Sequence, residues 1–238
     1  MRLLVTRPEP DAAETAARLK AMGHEPLSAP LLEIVLTPPP ADVAAPAAIV
    51  FTSRNGVRAL STWPQGKGWR DRPVFATGHA TAAAARAAGF TDVRPGNGDS
   101  ADLANFFMEH VPRTLRPILY PAARDRTGAL SSGLRANGFD VMTIESYRAE
   151  AIAGLDPATV AALGSGSIDG VLLYSRRTAE VFAGLAERYG FWPALRDTPL
   201  LVLSPRVAEP LRGQARSVLV AKHPNEDALF ELLAEVGR

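Results

Sequence analysis

The fold is decided by the stretch Ile49-Val50-Phe51-Thr52-Ser53-Arg54, which returns later in the chain as Val171-Leu172-Leu173-Tyr174-Ser175-Arg176. The apolar half of each copy is typical of a strand buried on both faces of a parallel sheet. A second pair of runs recurs in the same order, since Leu3-Leu4-Val5-Thr6 has its counterpart in Ile118-Leu119-Tyr120-Pro121. The chain of 238 residues therefore predicts two similar α/β units.

Short β-rich runs alternate with helical stretches along the chain, a pattern typical of a parallel sheet covered on both faces. The predicted strands are residues 3–6, 25–28, 48–52, 74–77, 93, 118–120, 140–144, 170–174, 200–203 and 217–221. The predicted helices are residues 12–22, 56–60, 80–88, 101–111, 128–137, 157–163, 178–189, 207–212 and 226–236. Two further extended segments, 31–36 and 144–149, occupy equivalent places in the two halves and are predicted to connect the units as a hinge. Because ligand sites favour domain interfaces, function is expected in a cleft between the units.

Composition excludes several classes of function. The net charge of +1 argues against a nucleic acid as the main partner, and the absence of cysteine excludes disulfides, thiolate metal sites and cysteine nucleophiles. The first residues enter a strand directly without a signal-peptide layout, and no apolar run approaches the roughly 20 residues that span a bilayer. We therefore expect a soluble, cytoplasmic protein that does not bind membranes.

The common catalytic signatures are missing. We find no phosphate loop and no dinucleotide-binding glycine motif, and the four histidines are scattered without metal-ligand spacing. Asp11, Glu14 and Glu25 are predicted at surface positions without acid/base pairing. Neither a metal nor a cofactor is expected.

Hydroxyl, glycine and arginine residues recur where the predicted strands end. They are Thr6-Arg7, Thr52-Ser53-Arg54-Asn55-Gly56, Thr77-Gly78-His79-Ala80-Thr81, Arg124-Asp125-Arg126, Ser175-Arg176 and Ser204-Pro205-Arg206. Open α/β sheets bind ligands outside the carboxyl ends of their strands, where helix N-termini attract anions. Each serine or threonine taken singly is better explained as a helix N-cap. Their repetition in both halves favours an anion-binding cleft.

The whole chain resembles the uroporphyrinogen-III synthase family in the order and spacing of short motifs. These motifs are Val5-Thr6-Arg7-Pro8, Ile49-Val50-Phe51-Thr52-Ser53-Arg54-Asn55-Gly56-Val57, Thr77-Gly78-His79-Ala80-Thr81-Ala82, Ile118-Leu119-Tyr120-Pro121 and Ile144-Glu145-Ser146-Tyr147. The resemblance implies two similar parallel-sheet α/β lobes, flavodoxin-like with swapped repeats. A two-stranded β-ladder would join the lobes, with the active cleft between them. One domain would contain residues 1–36 and 149–238 and the other residues 37–146, with connectors at about 31–37 and 144–149.

The resemblance also implies an activity. The family cyclises hydroxymethylbilane, a linear tetrapyrrole, to uroporphyrinogen III with loss of water and inversion of ring D, in tetrapyrrole biosynthesis. This makes it a cofactor-free hydro-lyase with a small-molecule substrate. We expect a monomer, and the instability of the bilane makes a transient contact with hydroxymethylbilane synthase attractive.

Site residues follow from the same resemblance. Tyr147 is the candidate general acid, although it would alternatively only pack in the hinge. The substrate-binding candidates are Arg7, Thr52, Ser53, Asn55, Gly56, Gly78, Thr81, Arg124, Ser175, Arg176 and Ser204. Arg7 has the alternative role of fixing the first loop. At Ser204-Pro205-Arg206-Val207 the chain departs from the Gly-Pro-x-Thr that the family often carries, so a threonine hydroxyl is lost and an arginine gained.

Two other classes of function stay open from the sequence. One is a two-lobed protein that binds or senses tetrapyrroles or polycarboxylates without turnover. The other is a structural module in which the repeat serves only stability. Formation of the inverted isomer from fresh bilane separates the enzyme from both.

Overall fold

The computed structural model describes residues 1–96, 100–126 and 128–236. The strands are β1 (Arg2–Val5), β2 (Glu25–Ser28), β3 (Leu32–Leu36), β4 (Ala48–Phe51), β5 (Val74–Ala76), β6 (Val93–Pro95), β7 (Ile118–Ala123), β8 (Val141–Ala151), β9 (Gly170–Leu173), β10 (Leu200–Val202) and β11 (Val218–Val220). The α-helices are α1 (Asp11–Ala21), α2 (Arg54–Thr62), α3 (His79–Ala87), α4 (Ser100–His110), α5 (Ala129–Ala136), α6 (Pro157–Gly164), α7 (Arg176–Tyr189), α8 (Pro205–Ala208), α9 (Glu226–Glu231) and α10 (Leu233–Val236).

The first of two compact units comprises Met1–Glu33 and Glu150–Arg238 and has the strand order β11-β10-β9-β1-β2. Its neighbouring strands are all parallel. Alternate side chains of β1 enter different cores, because Leu4 packs with α7 residues such as Phe182, whereas Leu3 packs with residues of α1 and α9. Counted from β2, the order is the 2-1-3-4-5 of flavodoxin-like folds.

The second unit comprises Ile34–Ala149, and its sheet has the order β3-β8-β7-β4-β5-β6. The neighbouring strands from β8 to β6 are parallel. Val50 packs towards α4 and α5, whereas Ile49 and Phe51 pack towards α2 and α3. If β7 is counted as the first strand, β8 as the second, and β4, β5 and β6 as the third to fifth, the order is again 2-1-3-4-5. The chain therefore enters the two repeats at different strands. The prediction of two parallel-sheet α/β units is thus confirmed. That each predicted domain folds independently within its predicted boundaries stays a prediction.

Strand β8 is longer than predicted and merges residues 140–144 with the connector 144–149. The backbone of β7 pairs with it as far as Tyr147, which lies opposite Ala123 beyond a register shift. The Thr37 N–H also donates to the Ser146 carbonyl. These partners hold the segment extended on both sides of the register shift, and Tyr147 lies directly after the shift.

Two helix predictions near the end of the chain were partly wrong. The segment 207–212 is not one helix, because α8 ends at Ala208 and a 3-10 turn, Glu209–Leu211, follows. Pro210 has no N–H to donate, so the α-helical hydrogen bonds cannot continue through it. The segment 226–236 is interrupted at Leu232, between α9 and α10.

Gly56 allows α2 to approach β7 closely, and this contact predicts the effect of a substitution. A Cβ atom at Gly56 would lie 2.9 Å from the Pro121 carbonyl oxygen, which is backbone and cannot rotate away. We expect Gly56→Ala to lower the free energy of unfolding by about 1–3 kcal/mol. In the matched control Gly133→Ala, on α5, the new methyl group meets nothing within 4 Å. That change should raise stability by about 0.5–1 kcal/mol, because alanine restricts the unfolded chain. Chemical denaturation of both variants tests this, and an equal effect of the two would contradict it.

Candidate active site

A cavity of about 320 Å³ lies in the second unit, where the carboxyl ends of β4 and β7 meet. The chain leaves β4 towards β5 on one side and leaves β7 towards β8 on the other, so the connections diverge at this edge. This divergence is the place where open α/β sheets bind ligands. The polar residues that line the cavity are Thr52, Ser53, Tyr120, Asp125, Arg126 and Tyr147. Three of the predicted site residues, Thr52, Ser53 and Tyr147, are therefore brought together.

Tyr147 and Ser53 form a short hydroxyl pair, with 2.6 Å between Oη and Oγ. Tyr147 is held by its strand, because its carbonyl accepts from the Arg124 N–H at 2.9 Å. Burial raises the pKa of the Tyr147 hydroxyl above its usual value, and this outweighs the opposing effect of the hydrogen bond with Ser53. The phenol is therefore protonated at neutral pH and can act as a proton donor.

Ser53 is fixed as the N-cap of α2. It has an extended backbone, and its Oγ accepts from the Gly56 N–H at 3.3 Å. From the sequence, Ser53 was interpreted both as a helix N-cap and as a candidate site residue. It caps α2 and also lines the cavity. The cap aims the Ser53 hydroxyl at Tyr147.

Tyr120 also lines the cavity, although it was not among the site residues predicted from the sequence. Its hydroxyl lies 3.1 Å from the Thr52 Oγ1, and both side chains line the cavity. The Tyr120 ring packs in the core with Ile118 and Leu130. The sequence did contain a signal for this position, because a residue with a hydroxyl group stands near the end of a run that is otherwise apolar.

The other predicted residues of the second unit are not among the residues that line this cavity. The Asn55 Oδ1 accepts from Arg58 at 2.7 Å, and Gly56 packs against Pro121. Gly78 precedes α3, and Thr81 is buried within that helix. The Arg124 Nε donates to Glu145 Oε1 at 2.9 Å while its side chain stays half exposed. Their roles in substrate binding stay predictions.

In the first unit, Arg7 is engaged by the protein itself. It donates to Asp11 at 3.0 Å and to Glu226 at 2.8 Å, and its guanidinium lies 4.4 Å from the centre of the Tyr174 ring. Our placement of Asp11 on the surface without pairing was wrong, because this carboxylate is largely buried against Arg7. These contacts favour the alternative in which Arg7 fixes the first loop. A substrate carboxylate could bind Arg7 only by displacing the carboxylate of Asp11 or Glu226.

Glu226 is the acceptor at the centre of this network. It accepts from Thr15 at 2.6 Å, from the Tyr174 hydroxyl at 2.9 Å and also from Arg18. Burial alone would raise the pKa of Glu226, but the hydrogen bonds from Thr15 and Tyr174 and the charge of Arg7 lower it overall. The network therefore holds Glu226 ionised and joins α9 to the beginning of the chain.

The remaining predicted residues lie at helix N-termini of the first unit. Ser175 caps α7, because its Oγ accepts from the Thr178 N–H at 3.1 Å. Arg176 is half exposed and pairs with Glu180 and Glu209. Ser204 is the N-cap residue of α8. Their roles in substrate binding stay predictions.

The described part of the chain contains neither a candidate membrane span nor a candidate metal site. None of its helices combines the length and the apolar character that crossing a membrane requires. Within the same residues, no group of three or more His, Asp or Glu side chains could hold a metal ion.

The pKa of Glu226 predicts how stability depends on pH. Because the folded state lowers this pKa, the stabilisation by Glu226 is fully present above its unfolded pKa and is lost as the pH falls through the folded value. We expect Glu226→Gln to lower the free energy of unfolding at pH 7 by about 1–3 kcal/mol. Below roughly pH 4 the difference from the parent chain should shrink. Glu25→Gln is the control, since Glu25 is largely exposed and its ion pair is long, at 3.5 Å. Denaturation between pH 3 and 7 measures this, and a difference that is independent of pH would contradict it.

Comparison with known proteins identifies a family. The family model described as uroporphyrinogen-III synthase HemD matches residues 13–231. The porphyrin biosynthesis protein HemD of Ruminiclostridium josui is 23% identical and aligns with 99% of this chain, but the chain spans only about half (48%) of that relative.

Two solved structures share the fold. Uroporphyrinogen-III synthetase from Helicobacter pylori has a TM-score of 0.67 at 20% identity, over 99% of this chain and 98% of its own. A mutant uroporphyrinogen III synthase from the extremely thermophilic bacterium Thermus thermophilus has a TM-score of 0.55 at 19% identity, over 99% of this chain and 98% of its own. At a sequence identity of 19% or 20%, the similarity to these structures shows the fold alone. The family model matches most of the chain and therefore shows the family. The chain belongs to the uroporphyrinogen-III synthase HemD family.

Proposed function

We propose that this chain is a uroporphyrinogen-III synthase, which converts hydroxymethylbilane to uroporphyrinogen III with loss of water and inversion of ring D. The observation that carries the proposal is the Tyr147–Ser53 hydroxyl pair in the cavity of the second unit, in a chain of this family. This reaction needs one proton donor for a leaving hydroxyl and precise orientation of the reacting carbons. The pair supplies the donor, and the cavity walls supply the orientation.

The proposed chemistry begins at the terminal hydroxymethyl group. Tyr147 transfers its proton to the hydroxyl oxygen as the C–O bond breaks, so water leaves with the bonding electron pair. The pyrrole nitrogen lone pair stabilises the resulting cation, and Tyr147 becomes a phenolate. The Ser53 hydroxyl stabilises that phenolate by donating to it. The ring D carbon that already carries the bridge to ring C attacks the cation and gives a spirocyclic intermediate, in which the old bond between ring D and that bridge then breaks. The cation left on the bridge carbon is stabilised by the nitrogen of ring C and bonds to the free α-carbon of ring D, and the proton lost from that carbon restores the phenol. Overall, the reaction closes the ring and releases one water molecule.

The cavity is sized to hold one end of the substrate. Its volume of about 320 Å³ lies near the lower limit of ligand pockets, about 300–1,000 Å³. A tetrapyrrole with eight carboxylate arms is much larger, so most of it must lie outside this cavity. Holding the reacting end in place supplies much of the catalysis, because the bilane already closes spontaneously to the uninverted isomer.

The carboxylate arms need cationic partners, and Arg124 and Arg126 are the candidates beside the cavity. Arg126 lines it, and Arg124, at the end of β7, has a half-exposed side chain. Arginine suits this task because its planar fork matches a carboxylate. Asn55, Gly56, Gly78, Thr81, Ser175, Arg176 and Ser204 remain proposed contacts for the rest of the substrate. We also propose a hydro-lyase that works as a cytoplasmic monomer and receives the unstable bilane by transient contact with hydroxymethylbilane synthase.

The function is tested by adding the protein to freshly prepared hydroxymethylbilane and separating the uroporphyrinogen isomers. The expected result is a majority of the inverted isomer III, in proportion to protein added. Isomer I alone, at the spontaneous rate, would overturn the proposal. Tight binding of the bilane without a change in isomer ratio would instead favour the sensing protein.

Removal of the proposed acid should slow the reaction without unfolding the chain. Tyr147→Phe keeps the ring in its packing and removes only the hydroxyl, so we expect kcat to fall by about 10²–10⁴-fold. KM should change little, because carboxylate contacts dominate binding. Tyr189→Phe is the control, since Tyr189 is exposed on α7. Steady-state kinetics with thermal denaturation measures both variants, and an unchanged kcat for Tyr147→Phe would exclude its hydroxyl as the acid.

Ser53 should contribute both to folding and to turnover. Ser53→Ala removes both the α2 cap and the hydrogen-bond partner of Tyr147. Loss of the cap should lower the free energy of unfolding by about 1 kcal/mol. We expect kcat to fall by about tenfold, the loss of one hydrogen bond to the phenolate. Asp156→Ala is the matched control, because Asp156 caps α6 in the first unit by accepting from Ala158 and Thr159. It should lose similar stability but keep full turnover; equal kinetic losses in the two variants would mean that Ser53 acts only through folding.

A further inference from the structure

Thr52, Ser53, Tyr120 and Tyr147 place four hydroxyl groups in one cavity, and the hydroxyls are bonded as two pairs. Tyr147 pairs with Ser53 at 2.6 Å, and Tyr120 pairs with Thr52 at 3.1 Å. Both rings are almost buried, with 6% of Tyr120 and 7% of Tyr147 exposed. The proposed reaction uses only the first pair, so the second pair is unexplained.

Packing alone does not require a hydroxyl at Tyr120. The ring belongs to an apolar cluster that a phenylalanine would fill equally well, and a hydroxyl is costly to bury unless it is bonded. Here Thr52, the first residue after β4, supplies that bond. Two hydroxyls contain two hydrogens, and their mutual bond uses one. The pair therefore has a second O–H for a further acceptor, and it faces the cavity that contains the Tyr147 hydroxyl.

We propose that Tyr120 is a substrate-positioning residue, whose hydroxyl, oriented by Thr52, binds the terminal hydroxymethyl group of the linear tetrapyrrole next to Tyr147. The proposal rests on the synthase function proposed above and adds a residue to it. The hydroxymethyl oxygen accepts a hydrogen bond from the second O–H of the Tyr120–Thr52 pair and receives its proton from Tyr147. When the C–O bond breaks, the departing water keeps both hydrogen bonds. No atom beyond those of the overall reaction is needed.

The position of Tyr120 suits this role because it lies on a rigid element. It belongs to β7, which pairs with β4 on one side and with β8, the strand of Tyr147, on the other. Sites on strands hold their geometry better than sites on loops. The relative position of the two phenols is thus set by the sheet, and both line the same cavity.

The test is the kinetics and isomer ratio of Tyr120→Phe and Thr52→Val, each of which removes one hydroxyl and keeps the shape. We expect kcat to fall by about two- to tenfold in each, with KM nearly unchanged. The share of isomer I should rise, because spontaneous closure competes with slower turnover. The double variant should lose no more than the worse single variant, since the two hydroxyls act as a unit. Thr52→Ser keeps a hydroxyl and should recover most of the activity.

Controls separate this proposal from the others. Tyr189→Phe should leave kcat, KM and isomer ratio unchanged, and circular dichroism should show that each variant is folded. If the parent chain makes isomer III and Tyr120→Phe is kinetically identical to it, the role of Tyr120 is overturned while the synthase function stands. Additive losses in the double variant would overturn the paired action. If the parent chain itself yields only isomer I, both proposals fail.

Discussion

The parallel pairing of β4 with β7 is the constraint on which the candidate site depends. In this register Ile49 lies opposite Leu119, so both strands end at the same edge of the sheet. Thr52 and Ser53 leave the core there, beside the Tyr120 hydroxyl. Strand β8 then pairs with β7 and brings Tyr147 to the same edge. Without this register, the four hydroxyls would not share a cavity.

The two repeats use the equivalent edge differently. Thr52 of the second unit has Tyr174 as its counterpart in the first. Burial and the charge of Glu226 raise the pKa of Tyr174, so it stays a neutral donor to that carboxylate. The Arg7 guanidinium lies over the Tyr174 ring and pairs with the same carboxylate. One repeat thus stabilises its edge with an internal ion network, whereas the other keeps a cavity lined by four hydroxyl residues together with Asp125 and Arg126.

Much of the fold was predictable because its signals are local or repeated. Apolar runs such as Ile49-Val50-Phe51 indicated buried parallel strands, and the resemblance placed Ser53 and Tyr147 among the site residues. The role of Arg7 was not predictable, since its partner Glu226 is far away in the sequence and only folding brings them together. Tyr120 was missed for another reason. A tyrosine within an apolar run has the pattern of a core residue, and only the structure shows that its hydroxyl emerges beside Thr52.

A crystal structure with bound uroporphyrinogen III would show directly whether the cavity of the second unit holds the reacting end of the tetrapyrrole. We expect one pyrrole ring inside this cavity, with the newly closed methylene bridge beside the Tyr147 and Tyr120 hydroxyls. Product bound elsewhere, with the cavity empty and the Tyr147–Ser53 and Tyr120–Thr52 pairs untouched, would contradict this placement.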